Sequence, residues 1–264
     1  MPASDLDLLI RAAELAGKTA RAFVGGALDV RHKEDGAGPV TDADHAVNDV
    51  LEAELRGARP DYGWLSEESP DDPARRRAER VFIVDPIDGT RSFIDGSDIW
   101  AHALAVAERG RVVAGVVYLP MRGKMYTAAL GAGARLNGAP LAVSRTNDAD
   151  GASVLATRPN MDPRHWPGGM PDLQRSHRPS LAYRLSLVAE GRYDAMLTFR
   201  PAWEWDIAAG TLILTEAGAR ATDRRGAPLR FNNPVPQTDG VVASNPVLHA
   251  ALMDRLLGRA PGAA

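Results

Sequence analysis

Two aspartates follow directly on an apolar run, Val81-Phe82-Ile83-Val84, in the segment Asp85-Pro86-Ile87-Asp88-Gly89. The apolar run is typical of a buried strand, and a carboxylate at its end loses hydration unless a cation or several donors meet it. Asp85 and Asp88 therefore indicate a cation site. The same residue types also favour an ordinary tight turn, so the segment alone leaves both interpretations open.

Three further acidic residues stand beside apolar or aromatic residues. Glu67 follows Trp64-Leu65-Ser66, Asp206 follows Trp205, and Asp44 lies where a helix is predicted to begin. Each has an ordinary explanation by itself: Asp206 as a helix cap, Asp44 as a complement to the helix dipole, and Glu67 as a surface charge.

Together with the aspartate pair, these acids indicate a site for several metal ions. Oxygen-only ligands select hard cations, and Mg²⁺ is the first choice, with two or three ions suiting three or four clustered acids. Two such ions about 4 Å apart can hold a phosphoryl group, activate a water and neutralise the leaving oxygen. The set of acids therefore predicts hydrolysis of a phosphate ester.

The elements that position these acids alternate between helix and strand. Ser4 and Thr41 are predicted to cap two amphipathic helices, separated by a polar loop over 31–39, and a second charged loop follows over 70–80. Residues 101–143 have the pattern of an antiparallel meander. Its predicted strands are 101–107, 112–118 and 125–129.

A polar stretch near residue 147 predicts a boundary between two lobes. Residues 1–147 are predicted to form an α+β lobe with an antiparallel sheet and most of the metal ligands. Residues 148–264 are predicted to form an α/β lobe that supplies Asp206 and the substrate contacts. The predicted strands of the second lobe are 153–156, 195–199 and 240–243, and its predicted helices are 181–190 and 206–217.

Composition limits the classes of function. The chain has 264 residues, 45% of them hydrophobic, a formal net charge of −3 and no cysteine. The charge argues against a nucleic-acid polymer as partner, and the lack of cysteine excludes disulfides, thiolate nucleophiles and cysteine-bound zinc. No signal segment and no run of about 18 apolar residues is present, so we expect no membrane span and a cytoplasmic location.

Four motifs of the chain resemble, in order and spacing, those of the inositol monophosphatase superfamily. They are Gly38-Pro39-Val40-Thr41-Asp42-Ala43-Asp44, Leu65-Ser66-Glu67-Glu68, Asp85-Pro86-Ile87-Asp88-Gly89-Thr90 with Phe93, and Trp205-Asp206-Ile207-Ala208-Ala209-Gly210. The resemblance implies a lithium-sensitive, magnesium-dependent phosphomonoesterase with a layered αβαβα sandwich, commonly a homodimer. It covers the chain from the second helix to the last third.

The resemblance also implies a set of metal ligands. Glu67, Asp85 and the backbone carbonyl of Ile87 would hold a first ion, and Asp85, Asp88 and Asp206 a second. A weaker third ion would be held by Glu67. Asp85 would therefore bridge the two main ions.

The remaining roles concern water and phosphate. The resemblance implies that Glu67 and Thr90 orient the attacking water, with the Thr90 hydroxyl polarised by Asp44. Gly89 lets the backbone approach the phosphate, and a helix that begins near Thr90 would offer its free amides to the phosphate oxygens.

Substrate identity depends on departures from the inositol-specific pattern. Where inositol monophosphatases have an acid that contacts sugar hydroxyls, seven positions before Asp206, this chain has Phe199, with Glu204 as the nearest substitute. Ser180 and Arg184 look more like the bacterial 3'(2'),5'-bisphosphate nucleotidase branch, in which Arg184 would grip a second phosphate. The alternative for Arg184 is a helix-surface side chain.

Several alternatives stay open on the sequence alone. The first choice of substrate is 3'-phosphoadenosine 5'-phosphate, and inositol or another sugar phosphate is close behind. The aromatic residues Phe199, Trp203 and Trp205 either stack on an adenine or pack the lobes together. A non-catalytic regulator that binds divalent cations or phosphometabolites is a second class, and a structural protein that binds calcium a third. The histidines show no metal-ligand spacing and are left out of the site.

Overall fold

The structure is a computed structural model that describes residues 4–33 and 38–259. Its α-helices within these ranges are α1 (Asp5–Arg21), α2 (Asp42–Ala58), α3 (Thr90–Ile94), α4 (Leu181–Ala189), α5 (Glu204–Glu216) and α6 (Pro246–Leu257). Its β-strands there are β1 (Val30–His32), β2 (Pro39–Thr41), β3 (Gly63–Ser66), β4 (Arg80–Asp88), β5 (Ala101–Glu108), β6 (Arg111–Leu119), β7 (Lys124–Ala129), β8 (Ala134–Leu136), β9 (Ala139–Pro140), β10 (Ser153–Ala156), β11 (Gln174–Ser176), β12 (Ala195–Thr198), β13 (Ala202–Trp203), β14 (Arg220–Thr222), β15 (Gln237–Thr238) and β16 (Val241–Ser244). Short 3-10 helices occupy Pro73–Arg77, Arg158–Met161 and Pro163–His165. Among the described helices, none is both long and apolar enough to cross a membrane.

Helices α1 and α2 begin at the predicted caps. The hydroxyls of Ser4 and Thr41 accept from the amides of Asp7 and Asp44, whose carboxylates reach back to the cap amides. These capping boxes satisfy donors that the first helical turn leaves unpaired. In the predicted loop over 31–39, β1 pairs with β2, and residues 34–37 lie outside the described part of the chain.

The first sheet has the strand order β3-β4-β5-β6-β7-β8-β9. The predicted meander is confirmed as the antiparallel strands β5, β6 and β7. The predicted antiparallel sheet has one parallel pair at its edge, where β3 runs parallel to β4. A crossover makes this pairing possible, and it contains the 3-10 helix Pro73–Arg77 within the predicted charged loop.

The second sheet has the order β11-β10-β12-β16-β14. In it β10 runs parallel to β11 and β12, whereas β16 runs antiparallel to β12 and β14. The three strands predicted for the second lobe are all present, as β10, β12 and β16. The sheet is therefore mixed, with its central strands buried on both faces.

Three apolar clusters stack these elements into five layers. One joins α1 and α2 to β4, β5 and β6. The second joins the opposite face of those strands to α4, α5 and the second sheet, and the third joins the second sheet to α6. The fold is thus the predicted αβαβα sandwich, whose layers each bury an apolar face. The middle cluster contains residues from both predicted lobes, and the division at residue 147 stays a prediction.

Small residues let α5 lie at the centre of the sandwich. A Cβ added to Gly115 of β6 would be 3.1 Å from the Ala209 carbonyl oxygen, and one added to Gly210 would be 2.8 Å from the Leu185 Cβ. Helix α5 therefore approaches the first sheet on one side and α4 on the other without room for a methyl group. This packing fixes the first turn of α5, which carries Asp206.

The buried His249 on α6 predicts a loss of stability in acid. Its Nε2 lies 3.0 Å from the Thr222 hydroxyl, and burial lowers its pKa to about 4, with the charge of Arg220 acting in the same direction. Unfolding releases a histidine of ordinary pKa, so the stabilisation is present above about pH 6.5 and is lost as the pH falls towards 4. We expect about 2 kcal/mol to be lost between pH 7.5 and pH 5.

Urea unfolding at the two pH values measures this loss. A His249→Gln variant will be less stable at pH 7.5 but will lose less stability at pH 5, because it has no imidazole to protonate. An identical pH dependence in both proteins would assign the acid sensitivity to other groups.

Candidate metal centre and active site

Asp85 and Asp88 lie in a β-bulge at the carboxyl end of β4. Asp85 pairs with Ala103 of β5 and Asp88 pairs with Ala101, so three steps along β4 match two along β5. Pro86 lies within this irregularity and has no N–H to offer the ladder. In a regular strand, residues three apart face opposite sides of the sheet, and the extra residue of a bulge removes that constraint. The segment therefore forms a bulge and not a tight turn, one of the two interpretations that the sequence left open.

Carboxylate oxygens from three elements converge at this bulge. One oxygen each of Glu67, Asp85 and Asp206 lie within 4.8 Å of one another. Glu67 follows β3 and Asp206 lies in the first turn of α5. Burial raises the pKa of Asp85 well above its usual value, and the charges of Glu67, Asp88 and Asp206 raise it further. A bound cation would therefore stabilise the ionised form of this cluster.

Asp88 connects the cluster to the start of α4. Its Oδ2 accepts from the Ser180 hydroxyl and from the Ala182 amide, both at 2.7 Å. Burial raises the pKa of Asp88 to about 6, although both hydrogen bonds favour the ionised form. Ser180 caps α4 with a φ of 61°, a conformation that costs energy in a residue with a Cβ. Ser180, predicted as a substrate contact, thus also holds a predicted metal ligand in place.

The donor set fits a hard divalent cation. Oδ1 of Asp85 is buried and has no hydrogen-bond partner among the described residues, an arrangement that is costly unless a cation satisfies the oxygen. The grouped acids of the described chain, Glu67, Asp85 and Asp206, offer only oxygen ligands. Mg²⁺ prefers such ligands, whereas zinc usually takes nitrogen or sulfur. The number of ions, two or three, stays a prediction.

Thr90 and Asp44 meet beside the cluster, as the motifs predict. The Thr90 hydroxyl lies 3.3 Å from Oδ1 of Asp44 and 3.2 Å from the Ile87 carbonyl oxygen. Oδ2 of Asp44 accepts from the amide and hydroxyl of Thr41, at 2.8 and 2.6 Å. Asp44 is therefore both part of the α2 capping box and a partner of Thr90. The helix-capping interpretation of Asp44 concerns Oδ2, and the functional interpretation concerns Oδ1.

Lys33 is a cation at the site that the sequence did not indicate. Its ammonium group lies 2.8 Å from Oε1 of Glu67 and 2.7 Å from Oε1 of Glu68. Burial lowers the pKa of Lys33, but the two glutamates outweigh that effect and raise it overall. Burial, followed by the charge of Glu67, raises the pKa of Glu68 to about 7. Lys33 follows β1, whose residues carry no motif that would have marked it.

A cavity of about 710 Å³ opens beside the acidic cluster. Its lining includes the predicted site residues Glu67, Gly89, Thr90, Ser180, Arg184 and Asp206. It also includes Arg91, His177 and Arg200. The cavity thus joins acids that suit metal ions to several cations that suit an anionic ligand.

Arg184 is buried in the wall of this cavity, which corrects its interpretation as a helix-surface side chain. Only 6% of it is exposed. Its Nε donates to the Arg178 carbonyl oxygen, and its Nη2 lies 2.8 Å from Nε2 of His177. Burial lowers its pKa, against the opposing charge of Asp88. His177, which the sequence left out of the site, positions this guanidinium.

Glu204 and Phe199 do not line the cavity beside the acidic cluster. Glu204 is fully buried, and its carboxylate accepts from the amide of Asn232 at 2.6 Å and from the amide and side chain of Asn233 at 2.9 and 2.7 Å. Its predicted substrate contact is corrected to a loop-anchoring role. Phe199 packs on Trp166, with ring centroids 5.7 Å apart, and faces a neighbouring recess.

The first turn of α5 explains why the prediction for Glu204 failed. The helix begins at Glu204, two residues before the predicted start, and its N-cap is Trp203, which makes no side-chain capping bond. Asp206 is thus the third residue of the helix and not its cap. This position leaves its carboxylate available to the cluster.

A buried histidine lies beneath the bulge. Nδ1 of His102 is hydrogen-bonded to the Pro86 carbonyl oxygen, and burial lowers the pKa of His102 to about 4. A carbonyl only accepts, so the neutral ring carries its proton on Nδ1. Its Nε2 has no partner among the described residues. His102 therefore fixes the backbone between the two aspartates.

We expect His102→Leu to weaken Mg²⁺ binding about tenfold, the scale typical of partners that orient metal ligands. The reason is that the Pro86 carbonyl loses its donor and the bulge loses its orientation. Calorimetric titration with Mg²⁺ measures the change. His102→Gln, which keeps an N–H donor, is the matched variant and should recover part of the affinity. Equal affinity in wild type and His102→Leu would contradict the positioning role.

Comparisons with known proteins show which family this chain is similar to. The sequence model of the inositol monophosphatase family matches residues 3–258. An inositol-1-monophosphatase of Mesorhizobium japonicum is 32% identical over 262 residues, 94% of each chain. The 3'(2'),5'-bisphosphate nucleotidase CysQ of Escherichia coli O157:H7 is 33% identical over 231 residues, 86% of this chain and 93% of that one. The crystal structure of the extragenic suppressor protein suhB from Bartonella henselae superposes with a TM-score of 0.80 at 29% identity, over 95% of this chain and 97% of that one.

Proposed function

The chain belongs to the inositol monophosphatase family and is a magnesium-dependent phosphoric monoester hydrolase, and we propose that it hydrolyses 3'-phosphoadenosine 5'-phosphate. The observation that carries this choice is the buried Arg184 in the cavity wall. The metal ions held by the acidic cluster would bind the reacting phosphate, whereas Arg184 offers a positive charge to a second anionic group. A nucleoside bisphosphate has such a group and inositol monophosphate lacks it.

Five residues would hold the ions in this proposal. They are Glu67, Asp85, Asp88 and Asp206 through carboxylates and Ile87 through its carbonyl, with two or three Mg²⁺ bound. Bound Mg²⁺ neutralises charge on the phosphoryl and leaving oxygens and makes water more acidic. The protein contributes the fixed positions of these oxygens, which come from β3, β4 and α5.

Thr90, Asp44 and Glu67 would position the attacking water. The Thr90 hydroxyl donates to Asp44, so its oxygen can accept a hydrogen bond from the water, and Glu67 would accept the one proton that the water loses. The water oxygen forms the new bond to phosphorus while the bond to the ester oxygen breaks, and the leaving oxygen takes up a proton from bulk water. No covalent intermediate with the protein is needed.

The segment that follows the bulge would bind the phosphate. Gly89 has a φ of 103°, which a side chain would strain, and α3 begins at Thr90. An added Cβ on Gly89 would lie 3.4 Å from the Ile99 carbonyl oxygen. The bare backbone of Gly89 and the amides that follow it therefore support a close approach of phosphate oxygens.

Phosphate release from two substrates at one Mg²⁺ concentration tests this function. We expect 3'-phosphoadenosine 5'-phosphate to be hydrolysed with the higher kcat/KM, and Arg184→Gln to reduce that preference by raising KM. Inositol 1-phosphate is the second substrate, because a relative 32% identical is an inositol-1-monophosphatase. Faster turnover of inositol 1-phosphate would overturn the first choice and favour the sugar-phosphate alternative.

Lithium is expected to inhibit the enzyme. A site built from oxygen ligands admits small hard cations, and the family resemblance implies lithium sensitivity. Phosphate release at limiting Mg²⁺ should fall as LiCl is added, while the same concentration of KCl changes it little. Full activity in high lithium would contradict the proposed arrangement of ions.

The assembly proposed for this chain rests on the resemblance, which implies a homodimer. Light scattering measures the mass in solution, which we expect to be twice 28.2 kDa. A monomer would contradict the proposed dimer without affecting the proposed chemistry.

A further inference from the structure

A second recess adjoins the catalytic cavity. It has a volume of about 460 Å³ and is lined by Thr157, Pro159, Asn160, His165, Phe199 and Arg200. Thr157 and Arg200 also line the catalytic cavity, so the two spaces share a border. A ligand that reaches from the acidic cluster past Arg200 would enter the recess.

The recess has a fixed aromatic wall and an exposed aromatic rim. Phe199 is 5% exposed and is held edge-on against Trp166. His165 is exposed, and its ring centroid lies 5.2 Å from that of Phe199, with the planes inclined by 59°. A rigid apolar wall with a free ring at its edge suits a flat heterocycle, which stacks on such side chains without a need for specific hydrogen bonds.

Arg200 stands at the border as an uncompensated cation. It is exposed, and its guanidinium makes no hydrogen bond or ion pair with the residues that the structure describes. Its charge opposes the rise in the pKa of Asp206 that burial causes, which places it within electrostatic reach of the acidic cluster. An anionic group between the cluster and the recess would meet this side chain.

We propose that the recess binds the planar base of the substrate and that Arg200 joins Arg184 in binding its second phosphate. This subsite rests on the proposed function, because only a nucleotide brings a base and a second phosphate together. His165 and Phe199 become residues that determine specificity for the base. Their contribution is independent of the metal ligands.

Trp203 is the competing platform for the base. It lines the catalytic cavity, but one face of its ring is covered by Trp205, with centroids 4.7 Å apart and planes inclined by 8°. The recess differs because two rings, those of Phe199 and His165, line it. A Trp203→Leu variant separates the two sites.

The affinities for adenosine 5'-monophosphate and ribose 5-phosphate, measured by calorimetry in the presence of Mg²⁺, differ by the contribution of the base. We expect the wild type to bind adenosine 5'-monophosphate about tenfold more tightly than ribose 5-phosphate, which is the scale of one stacked base. His165→Ala should abolish this difference, and Arg200→Ala should weaken both ligands alike. Arg158→Ala removes an exposed arginine that lines neither space and should change nothing.

The outcomes separate this subsite from the proposed function. The subsite is overturned if the wild type does not bind adenosine 5'-monophosphate more tightly than ribose 5-phosphate. It is also overturned if this difference persists in His165→Ala, or if only Trp203→Leu removes it. If the subsite is overturned but 3'-phosphoadenosine 5'-phosphate is hydrolysed, the proposed function is retained. If His165→Ala loses the preference for adenosine 5'-monophosphate but 3'-phosphoadenosine 5'-phosphate is not hydrolysed, the base-binding recess is supported and the proposed function is overturned.

Discussion

Asp85→Asn is expected to fold and to lose turnover by roughly a thousandfold, the upper range for removing one preorganised electrostatic group. Asp85 is the buried member of the acidic cluster, and the resemblance implies that it bridges two ions. Asparagine has the same shape but offers a neutral oxygen and an N–H₂ group that repels a cation. The loss should therefore appear in kcat and in Mg²⁺ affinity together.

The same substitution should raise the thermal stability of the metal-free protein. Burial and neighbouring acids raise the pKa of Asp85 because its charge is unfavourable in the metal-free fold. Asparagine removes that charge from the cluster. Mg²⁺ should stabilise the wild type, since it binds the folded state, and should stabilise the variant much less. Thermal unfolding with and without Mg²⁺ measures both effects.

Asp95→Asn is the matched control for this prediction. Asp95 is exposed and lines the same cavity, but it is not among the clustered acids. It should retain turnover and the stabilisation by Mg²⁺. A similar loss in both variants would assign the effect to the total charge of the cavity. Full activity of Asp85→Asn would remove Asp85 from the site.

The sequence predicted the parts of the fold that depend on local chemistry. Ser4 and Thr41 predict where helices begin, because their capping hydrogen bonds reach only three residues along the chain. The meander of β5, β6 and β7 follows from alternating apolar residues and short connections. The acids at the ends of helices and strands converge because the fold brings those ends together. Hydrophobic periodicity does not predict this convergence, whereas the family resemblance implied it.

The remaining features depend on contacts between distant segments. The bulge that holds Asp85 and Asp88 is defined by register against β5, which local turn propensity does not encode. His102 and Lys33 reach the site from β5 and from the end of β1. Glu204 was misassigned because α5 begins two residues earlier than predicted, which directs its carboxylate to Asn232 and Asn233. These outcomes are set by tertiary packing.

Asp44→Asn is the second large expected effect, with a loss of kcat of roughly a hundredfold. Asp44 accepts the Thr90 hydroxyl proton at 3.3 Å while its other oxygen accepts from Thr41. In the variant, the remaining oxygen can keep the cap, so that the amide N–H₂ faces Thr90 and donates to it. The Thr90 oxygen is then occupied by that donor and no longer accepts a hydrogen bond from the attacking water.

This substitution also distinguishes an enzyme from a non-catalytic cation-binding regulator. Asp44 is not among the clustered acids, so Mg²⁺ binding by calorimetry should change little while phosphate release collapses. Asp42→Asn is the matched control, since it removes an acid from the same first turn of α2 without contact to Thr90. A regulator needs no poised water, and it would keep both metal binding and its function in the Asp44 variant. Unchanged phosphate release in Asp44→Asn would therefore show that the hydrogen bond between Asp44 and Thr90 does not position the attacking water. An equal loss in Asp42→Asn would assign the effect to the stability of the start of α2.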